Sequence, residues 1–199
     1  MSDNSKEAIL EAARRTAQAH GYGGLNFRDI AAAVGIKAAS IYHHFASKAD
    51  LGAAVAKRYW EDTVAHLEAL SAATGDPTAA LEAYPGVFRR SLEQDNRMCL
   101  CSFMAAEYDD LPDTVKTEVQ AFADVNVAWL TRMLTAASVC GTNCETKARA
   151  IFAAVAGAQL MARSRADLSL FDTLIASYRE SGLIPTRESY RPSVSGSRY

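Results

Sequence analysis

The sequence has few of the features that mark membrane proteins, secreted disulfide-rich folds or enzymes. No uninterrupted apolar run reaches the roughly 18 residues that a transmembrane helix needs, so no membrane partner is expected. The N-terminus carries no apolar secretory signal, and four cysteines among 199 residues are too few for a disulfide framework. These absences predict a cytoplasmic protein whose thiols are reduced at rest.

Motifs of common catalytic sites are also missing. The chain has no Gly-x-Ser-x-Gly nucleophile motif, phosphate-binding loop, dinucleotide-binding glycine pattern or His-Glu-x-x-His zinc motif. No histidine lies near the cysteines in sequence, whereas metal sites usually combine closer cysteine pairs with histidine. The sequence therefore predicts a protein that is not an enzyme and uses no metal or cofactor.

Charge is unevenly distributed along the chain, although the total is only -2. Residues 1–60 contain eight Lys and Arg against five Asp and Glu, a balance of +3. Residues 61–199 contain 13 basic and 18 acidic residues, a balance of -5. A basic N-terminal segment on an acidic body suggests that the N-terminal segment binds a polyanion.

Apolar positions recur at spacings of three and four throughout the chain, and alternating β-branched runs are absent. This pattern predicts an all-α fold. Glycine, proline and polar turns divide the chain into predicted helices at 5–20, 27–34, 38–44, 48–73, 77–94, 98–108, 112–138, 143–164 and 168–181. Residues 185–199 are polar and patternless and predict a disordered tail.

Residues 26–51 contain two short amphipathic helices joined by a glycine turn. Asn26 suits the position before the first helix, and Gly35 suits the left-handed position after it. Each helix has one apolar face, formed by Phe27, Ile30, Ala31 and Val34 and then by Ala38, Ile41, Tyr42 and Phe45. Such a pair of helices is a helix-turn-helix.

The second helix of this pair has no acidic residue on its outer face and is narrow enough for the major groove of DNA. Ser47 opens the next helix, whose free N–H groups can hold a phosphate together with the Lys48 ammonium. The candidate DNA-binding residues are Arg28, Lys37, Ala38, Ala39, Ser40, Tyr42, His43 and Lys48. A helical hairpin that contacts only protein is the alternative interpretation.

The stretch from Phe27 to Leu51 closely resembles the DNA-binding region of TetR-family repressors. Four elements recur together in that family and are present here, namely Ile30-Ala31, Gly35, Tyr42-x-x-Phe45 and Lys48-x-x-Leu51. The resemblance covers about residues 4–64. One difference is Asn26, where Thr or Ser is frequent, and Asn caps a helix equally well.

The resemblance implies an N-terminal three-helix DNA-binding head with a helix-turn-helix over residues 4–64. A helical ligand-binding and dimerisation body would follow over residues 65–184. It further implies a homodimeric repressor of transcription that a small-molecule inducer releases from double-stranded operator DNA. The long helix predicted at 48–73 would transmit the signal, because it begins in the head and ends in the body.

The resemblance also assigns dimerisation to the last two helices, which carry a strip of small residues and a strong apolar face. Packing within one chain would use the same residues, and the resemblance favours dimerisation. The candidate interface residues are Ala153, Gly157, Ala158, Met161, Phe171, Leu174, Ile175 and Tyr178.

Large, adaptable side chains in the middle helices are candidates to line an inducer pocket. They are Phe88, Phe103, Met104, Tyr108, Trp129 and Met133, and the smaller Cys99 and Cys101 are further candidates for the same pocket. Packing in the core is the alternative for most of them. Glu107 and Arg97 lie beside this apolar cluster in sequence and would either orient a ligand or form ordinary charge pairs.

Cys99 and Cys101 lie at the start of a predicted helix, where the helix dipole lowers a thiol pKa. This segment is similar to one in TetR-family members that respond to electrophiles or oxidants, which implies an electrophilic inducer. The alternative is that both cysteines are small buried hydrophobic residues, and the sequence favours it. Cys140 and Cys144 flank a Gly-Thr-Asn turn and form either a redox pair or part of a metal site.

Overall fold

The structure is a computed structural model that describes residues 2–187, and over these residues the chain is helical. The predicted all-α fold is confirmed. The α-helices are α1 (Ser2–His20), α2 (Phe27–Val34), α3 (Ala38–Tyr42), α4 (Lys48–Thr74), α5 (Pro77–Ala83), α6 (Gly86–Glu93), α7 (Leu100–Ala105), α8 (Asp113–Ala136), α9 (Cys144–Arg165) and α10 (Leu168–Glu180), with a one-turn 3-10 helix at Tyr108–Asp110.

Helices α1 to α3 form a small N-terminal head that packs around the start of α4. Its core consists of fully buried aliphatic side chains, among them Ile9, Ile30, Ile41 and Leu51. Helix α4 has 27 residues and is therefore about 40 Å long at 1.5 Å per residue. It carries the chain from the head into the remaining helices, which we call the body.

Helix α4 packs along α8. The rings of Tyr59 and Phe122 lie 5.6 Å apart between their centroids, and Trp60 Nε1 donates to Glu118 Oε2 at 2.7 Å. Helix α8 packs in turn on α9, and α9 packs on α10. Buried apolar residues of the head and of the body belong to one continuous cluster, so the two parts share a core.

The single helix predicted at 77–94 is wrong. Helix α5 ends at Ala83 and α6 begins at Gly86, with Tyr84 and Pro85 forming a turn between them. Proline has no backbone N–H and cannot donate the hydrogen bond that would continue α5. The helix predicted at 98–108 is also shorter, because α7 comprises only Leu100–Ala105.

The segment after α10 returns to the body. Ile184 and Pro185 are buried, and the backbone N–H of Arg187 donates to Glu82 Oε1 at 3.2 Å. Residues 185–187 of the predicted tail are thus packed against α5, whereas residues 188–199 lie outside the described part of the chain. Among the described helices, none is both long enough and apolar enough to cross a membrane.

Candidate nucleic-acid interface

Local capping sets the ends of α2. The Asn26 side chain accepts a hydrogen bond from the N–H of Arg28 at 2.8 Å, which fixes the first turn. At the other end Gly35 is left-handed, with φ 78°, and the N–H of Ile36 donates to the carbonyl of Ala31 at 3.0 Å. This is the glycine-terminated cap expected from the sequence, and it turns the chain directly into α3.

Helix α3 is held to the head by its inner side chains and leaves its outer ones exposed. Ile41 is fully buried and Phe45, just after the helix, is 4 % exposed. Tyr42, which the sequence pattern also assigned to the apolar face, is instead 61 % exposed, and its ring meets the edge of Phe27 at 4.8 Å. Of the eight candidate residues, the exposed ones are Arg28, Lys37, Ala39, Tyr42 and His43, and the half-buried ones are Ala38, Ser40 and Lys48.

A groove of about 560 Å³ opens on this surface between α2, α3 and α4. Its lining residues are Leu25, Asn26, Phe27, Arg28, Ala38, Tyr42, Ala46, Ser47 and Lys48. The N-terminal ends of both α2 and α4 therefore border the same groove, together with one guanidinium and one ammonium group. Helix N-termini and cationic side chains favour an anion, so the groove has the chemistry of a phosphate site.

Lys48 is already positioned by the head. Its Nζ donates to the carbonyl of Gly23 at 3.1 Å and lies 4.6 Å from the centroid of the Tyr22 ring. An ammonium group has three donors, so at least one remains for a further acceptor. The cap of α4 beside it is also formed, because Ser47 Oγ accepts from the N–H of Asp50 at 3.1 Å.

Comparison with known proteins agrees with this geometry. Residues 9–55 match the family model of bacterial regulatory proteins of the tetR family. The crystal structure of a TetR-family transcriptional regulator from Agrobacterium tumefaciens is 30% identical, with a TM-score of 0.86 over 94% of this chain and 100% of that one. The chain belongs to the TetR family.

Two further relatives show how the similarity is distributed. A TetR transcriptional regulator from Legionella pneumophila is 28% identical with a TM-score of 0.83, covering 88% of this chain and 96% of that chain. The transcriptional repressor AcnR of Corynebacterium glutamicum is 40% identical over 68 residues, which are 34% of this chain and 35% of AcnR. This chain therefore matches only about a third of the length of AcnR, while TetR-family structures match the whole fold.

In this TetR-family chain, the predicted dimerisation residues divide into two groups. Ala153 and Met161 are exposed, and Gly157, Leu174 and Tyr178 are half-buried. The other three, Ala158, Phe171 and Ile175, are buried within the single chain at 0 %, 1 % and 3 % exposure. Those three pack in the core of the body within the single chain.

Ala153, Gly157 and Met161 of the predicted interface lie on an exposed face of α9. Leu160 is 56 % exposed and Met161 is 44 % exposed, which is unusual for side chains of this size. A Cβ placed on Gly157, one turn before them, would meet nothing within 4 Å. Together with Ala153, these residues form an open apolar strip along α9.

Most of the predicted inducer-binding residues are packed together inside the body. Phe88, Cys99, Cys101, Met104, Trp129 and Met133 are buried, Phe103 is half-buried and Tyr108 is exposed. The Phe88 ring contacts three other rings, with centroid distances of 5.8 Å to Tyr84, 6.5 Å to Phe122 and 6.2 Å to Phe152. Trp129 borders a surface groove of about 200 Å³ between α4 and α8.

Several buried polar groups lie among these rings, and they are hydrogen-bonded. The Tyr84 hydroxyl donates to Asn126 Oδ1 at 2.9 Å, and Asn126 Nδ2 donates to the carbonyl of Phe122 at 2.8 Å. Gln159 Nε2 donates to the carbonyl of Phe88 at 2.7 Å, and Gln159 Oε1 accepts from the N–H of Cys99 at 3.0 Å. The rings and polar groups thus form a satisfied core.

Cys99 and Cys101 are buried, which is the alternative that the sequence favoured over activation by the helix dipole. Burial raises the pKa of Cys99 and raises that of Cys101 well above its usual range, the opposite of what a reactive thiolate requires. Cys140 and Cys144 form a disulfide with Cα atoms 4.9 Å apart, so the expectation of reduced thiols is wrong for this pair. Within residues 2–187, no group of three or more His, Cys, Asp or Glu side chains is arranged to hold a metal ion.

Arg97 borders a surface groove of about 470 Å³ between the end of α1 and α9, and Glu107 contacts the head. Arg97 Nη2 donates to Asp95 Oδ2 at 3.2 Å. The Glu107 carboxylate accepts from the backbone N–H groups of Tyr22 at 2.6 Å and Gly23 at 3.0 Å. This contact joins body and head across 85 positions of sequence, and the only local sign of it is the run of glycines after α1.

Proposed function

We propose that this TetR-family regulator binds double-stranded operator DNA as a homodimer, represses transcription, and is released by a small-molecule inducer bound in the body. The observation that carries the proposal is the acid-free outer face of α3 beside the groove of Arg28 and Lys48. In this assignment α3 enters the major groove, while the ends of α2 and α4 hold the flanking phosphates.

Two copies are needed for this activity. One five-residue recognition helix contacts too few bases to be selective, whereas two heads about 34–36 Å apart read successive major grooves. The exposed strip of Ala153, Gly157, Leu160 and Met161 on α9 supports dimerisation through this helix. Leu174 and Tyr178 of α10 would complete the interface, while Ala158, Phe171 and Ile175 support it from within each chain.

The burial of the aromatic cluster bears on the inducer. A ligand among the Phe88, Tyr84 and Trp129 rings has to repack them, and α4, which lies along α8, would carry the displacement to the head. A coupling of about 1–3 kcal/mol between the two sites is typical of such regulators. Because Cys99 and Cys101 are buried, a non-covalent, mostly apolar inducer fits better than an electrophile.

Repression, rather than activation, is supported by the similarity of the head to AcnR, which is a repressor. A head that occupies an operator without contacting the transcription machinery blocks access by itself. The inducer and the regulated genes would then be found by screening for compounds that release the bound DNA.

The test is DNA binding by the full-length protein to the region upstream of its own gene at two salt concentrations. We expect binding to fall steeply with salt, because phosphate contacts release counterions. Lys48→Ala and Tyr42→Ala should each weaken binding to all sequences about tenfold, and Lys48→Ala should also reduce the salt slope by about one.

Lys57→Ala is the matched control. Lys57 is also on α4, but its ammonium contacts Glu61 and the Trp60 ring rather than the groove. The affinity of Lys57→Ala for DNA should equal that of the wild type. A monomer in sedimentation analysis at micromolar concentration would contradict the dimer, and a dimer without salt-sensitive DNA binding would favour a protein partner for the hairpin.

A further inference from the structure

The C-terminal end of α1, in the head, is held by a charged side chain of the body. Arg163 of α9 donates from Nη1 to the carbonyl of Gln18 and from Nη2 to the carbonyl of Ala19, both at 3.1 Å. The last carbonyls of a helix have no partner within the helix, and a positive charge there complements the helix dipole. Arg163 therefore caps α1 from outside the head.

Arg163 is itself fixed in place. Its guanidinium stacks over the Phe103 ring, 5.0 Å from the centroid, and its Nη1 also donates to the carbonyl of Asn96 at 3.2 Å. Asn96 Nδ2 returns a hydrogen bond to the carbonyl of Arg163 at 3.1 Å. Because stacking on Phe103 and the hydrogen bond to Asn96 already fix the guanidinium, it loses little conformational freedom when it caps α1.

A second charged side chain of the body holds the link between α1 and α2. Glu107 accepts from the N–H groups of Tyr22 and Gly23, and both are charge-assisted hydrogen bonds. Gly21 has φ +68°, and a Cβ at this position would overlap the Glu107 carboxylate. Glycine at this position thus allows the carboxylate to approach the backbone.

The same link positions the phosphate-binding lysine of the head. The carbonyl of Gly23 accepts from Lys48, and the Tyr22 ring lies under the Lys48 ammonium. That ring packs closely on α4 at Gly52, where an added Cβ would lie 2.7 Å from Tyr22 Cε2 and 3.2 Å from Val115 Cγ2 of α8. A continuous set of contacts therefore leads from Glu107 through the link to Lys48.

We propose that Arg163 and Glu107 form a clamp that positions the DNA-binding head on the body and so sets the spacing of the two recognition helices in the dimer. The inference rests on the proposed function. Arg163 lies on α9, two residues after the exposed Met161, so the clamp ties the head to the helix that would meet the partner. A change of a few ångströms in head spacing breaks the match to successive major grooves.

The first measurement is hydrogen exchange of the backbone amides in the full-length protein. Arg163→Met removes the donors of the guanidinium, and Glu107→Ala removes the acceptors of the link. We expect the Tyr22 and Gly23 amides to exchange at least about tenfold faster in Glu107→Ala, because they lose the carboxylate that accepts their hydrogen bonds, and faster also in Arg163→Met. Unchanged exchange in both variants would overturn the clamp.

The second measurement is the dependence of affinity on operator spacing. Duplexes selected by the wild type from a random library are rebuilt with one base pair inserted or deleted at the centre. We expect the wild type to lose about tenfold in affinity on these altered duplexes, and the clamp variants to lose less than about threefold. The affinity of Arg163→Met for random duplexes should stay within about twofold of the wild type, because Arg163 caps α1 and does not contact the link that holds Lys48. This control separates lost positioning from lost folding.

Arg149→Met and Glu145→Ala are matched controls, because these residues pair with each other on the first turns of α9, far along the helix from Arg163. Arg163→Lys and Glu107→Gln keep part of each contact and should give intermediate spacing profiles if the full truncations fold poorly. If the amides exchange faster in the variants but their affinities depend on operator spacing as in the wild type, the clamp would be overturned and the proposed function would stand. A wild type that selects no duplex would overturn the proposed function and the DNA role of the clamp together.

Discussion

Two tyrosines illustrate how the head and the body use the same kind of side chain in opposite ways. Tyr42 in the head is 61 % exposed, and its ring rests against Phe27 beside the groove. Tyr84 in the body is fully buried, stacks 5.7 Å from Trp129 and donates to Asn126. An exposed ring is available for recognition at no cost to the fold, whereas a ligand that reaches a buried ring has to replace contacts that stabilise the protein.

The sharpest way to test this contrast is to truncate one ring in each region. Phe88→Ala should lower the free energy of unfolding by about 3–5 kcal/mol, because it removes a ring that packs against three others in the core. Tyr42→Ala should change it by less than about 0.5 kcal/mol, as for most exposed positions. Urea denaturation followed by circular dichroism gives both values.

For DNA affinity, the order of the two variants should be reversed, so that Tyr42→Ala is affected more than Phe88→Ala. Tyr42→Ala is expected to bind DNA poorly while remaining folded, and folded Phe88→Ala to retain affinity. Equal losses of stability in the two variants would mean that Tyr42 belongs to the core of the head after all.

A smaller change tests the buried hydroxyl alone. Tyr84→Phe leaves Asn126 Oδ1 buried without its donor, so the free energy of unfolding should fall by about 1–3 kcal/mol. Tyr42→Phe removes the hydroxyl of a side chain that is 61 % exposed and should leave stability unchanged. The difference between the urea midpoints of the two variants isolates the contribution of the buried hydrogen bond. An unchanged midpoint for Tyr84→Phe would show that the hydrogen bond between Tyr84 and Asn126 contributes nothing to stability.

The parts of the fold that local rules determine were predicted from the sequence. Asn26 and Gly35 set the ends of α2 through contacts within a few residues, so both boundaries were correct. The break at Pro85 was also within reach of local rules, because proline ends a helix wherever it falls in the chain. The single helix predicted at 77–94 was wrong because the amphipathic pattern was taken to continue past Pro85.

Contacts between distant residues were not predictable in this way. The bonds from Glu107 to the link after α1, and from Arg163 to the end of α1, depend on how the body packs against the head. Amphipathic patterns likewise mark a buried face without saying what buries it. Phe171 and Ile175 carry a strong apolar face, and the face packs within the chain rather than lying free for a partner.

The last expected effect concerns the pH dependence of stability in the body. Burial raises the pKa of the Cys99 and Cys101 thiols, so the folded protein keeps protons that the unfolded chain releases above about pH 8.5. The unfolded state then binds fewer protons than the folded state, and the free energy of unfolding falls as pH rises from about 8 to 9.5, by at most about 1.4 kcal/mol per pH unit for each thiol. Below about pH 8 both states are protonated and these thiols contribute no pH dependence.

A variant with Cys99→Ala and Cys101→Ala should therefore show a flatter stability profile over this range than the wild type, whatever its absolute stability. Measurements are kept below about pH 10, because burial also raises the pKa of Tyr59 and Tyr84, and an unfolded tyrosine begins to ionise there. The disulfide-bonded Cys140 and Cys144 do not titrate and remain in both proteins. Identical slopes in the two proteins would place Cys99 and Cys101 in contact with water and reopen them as reactive thiols, whereas a flatter slope would assign both to the packing of the core.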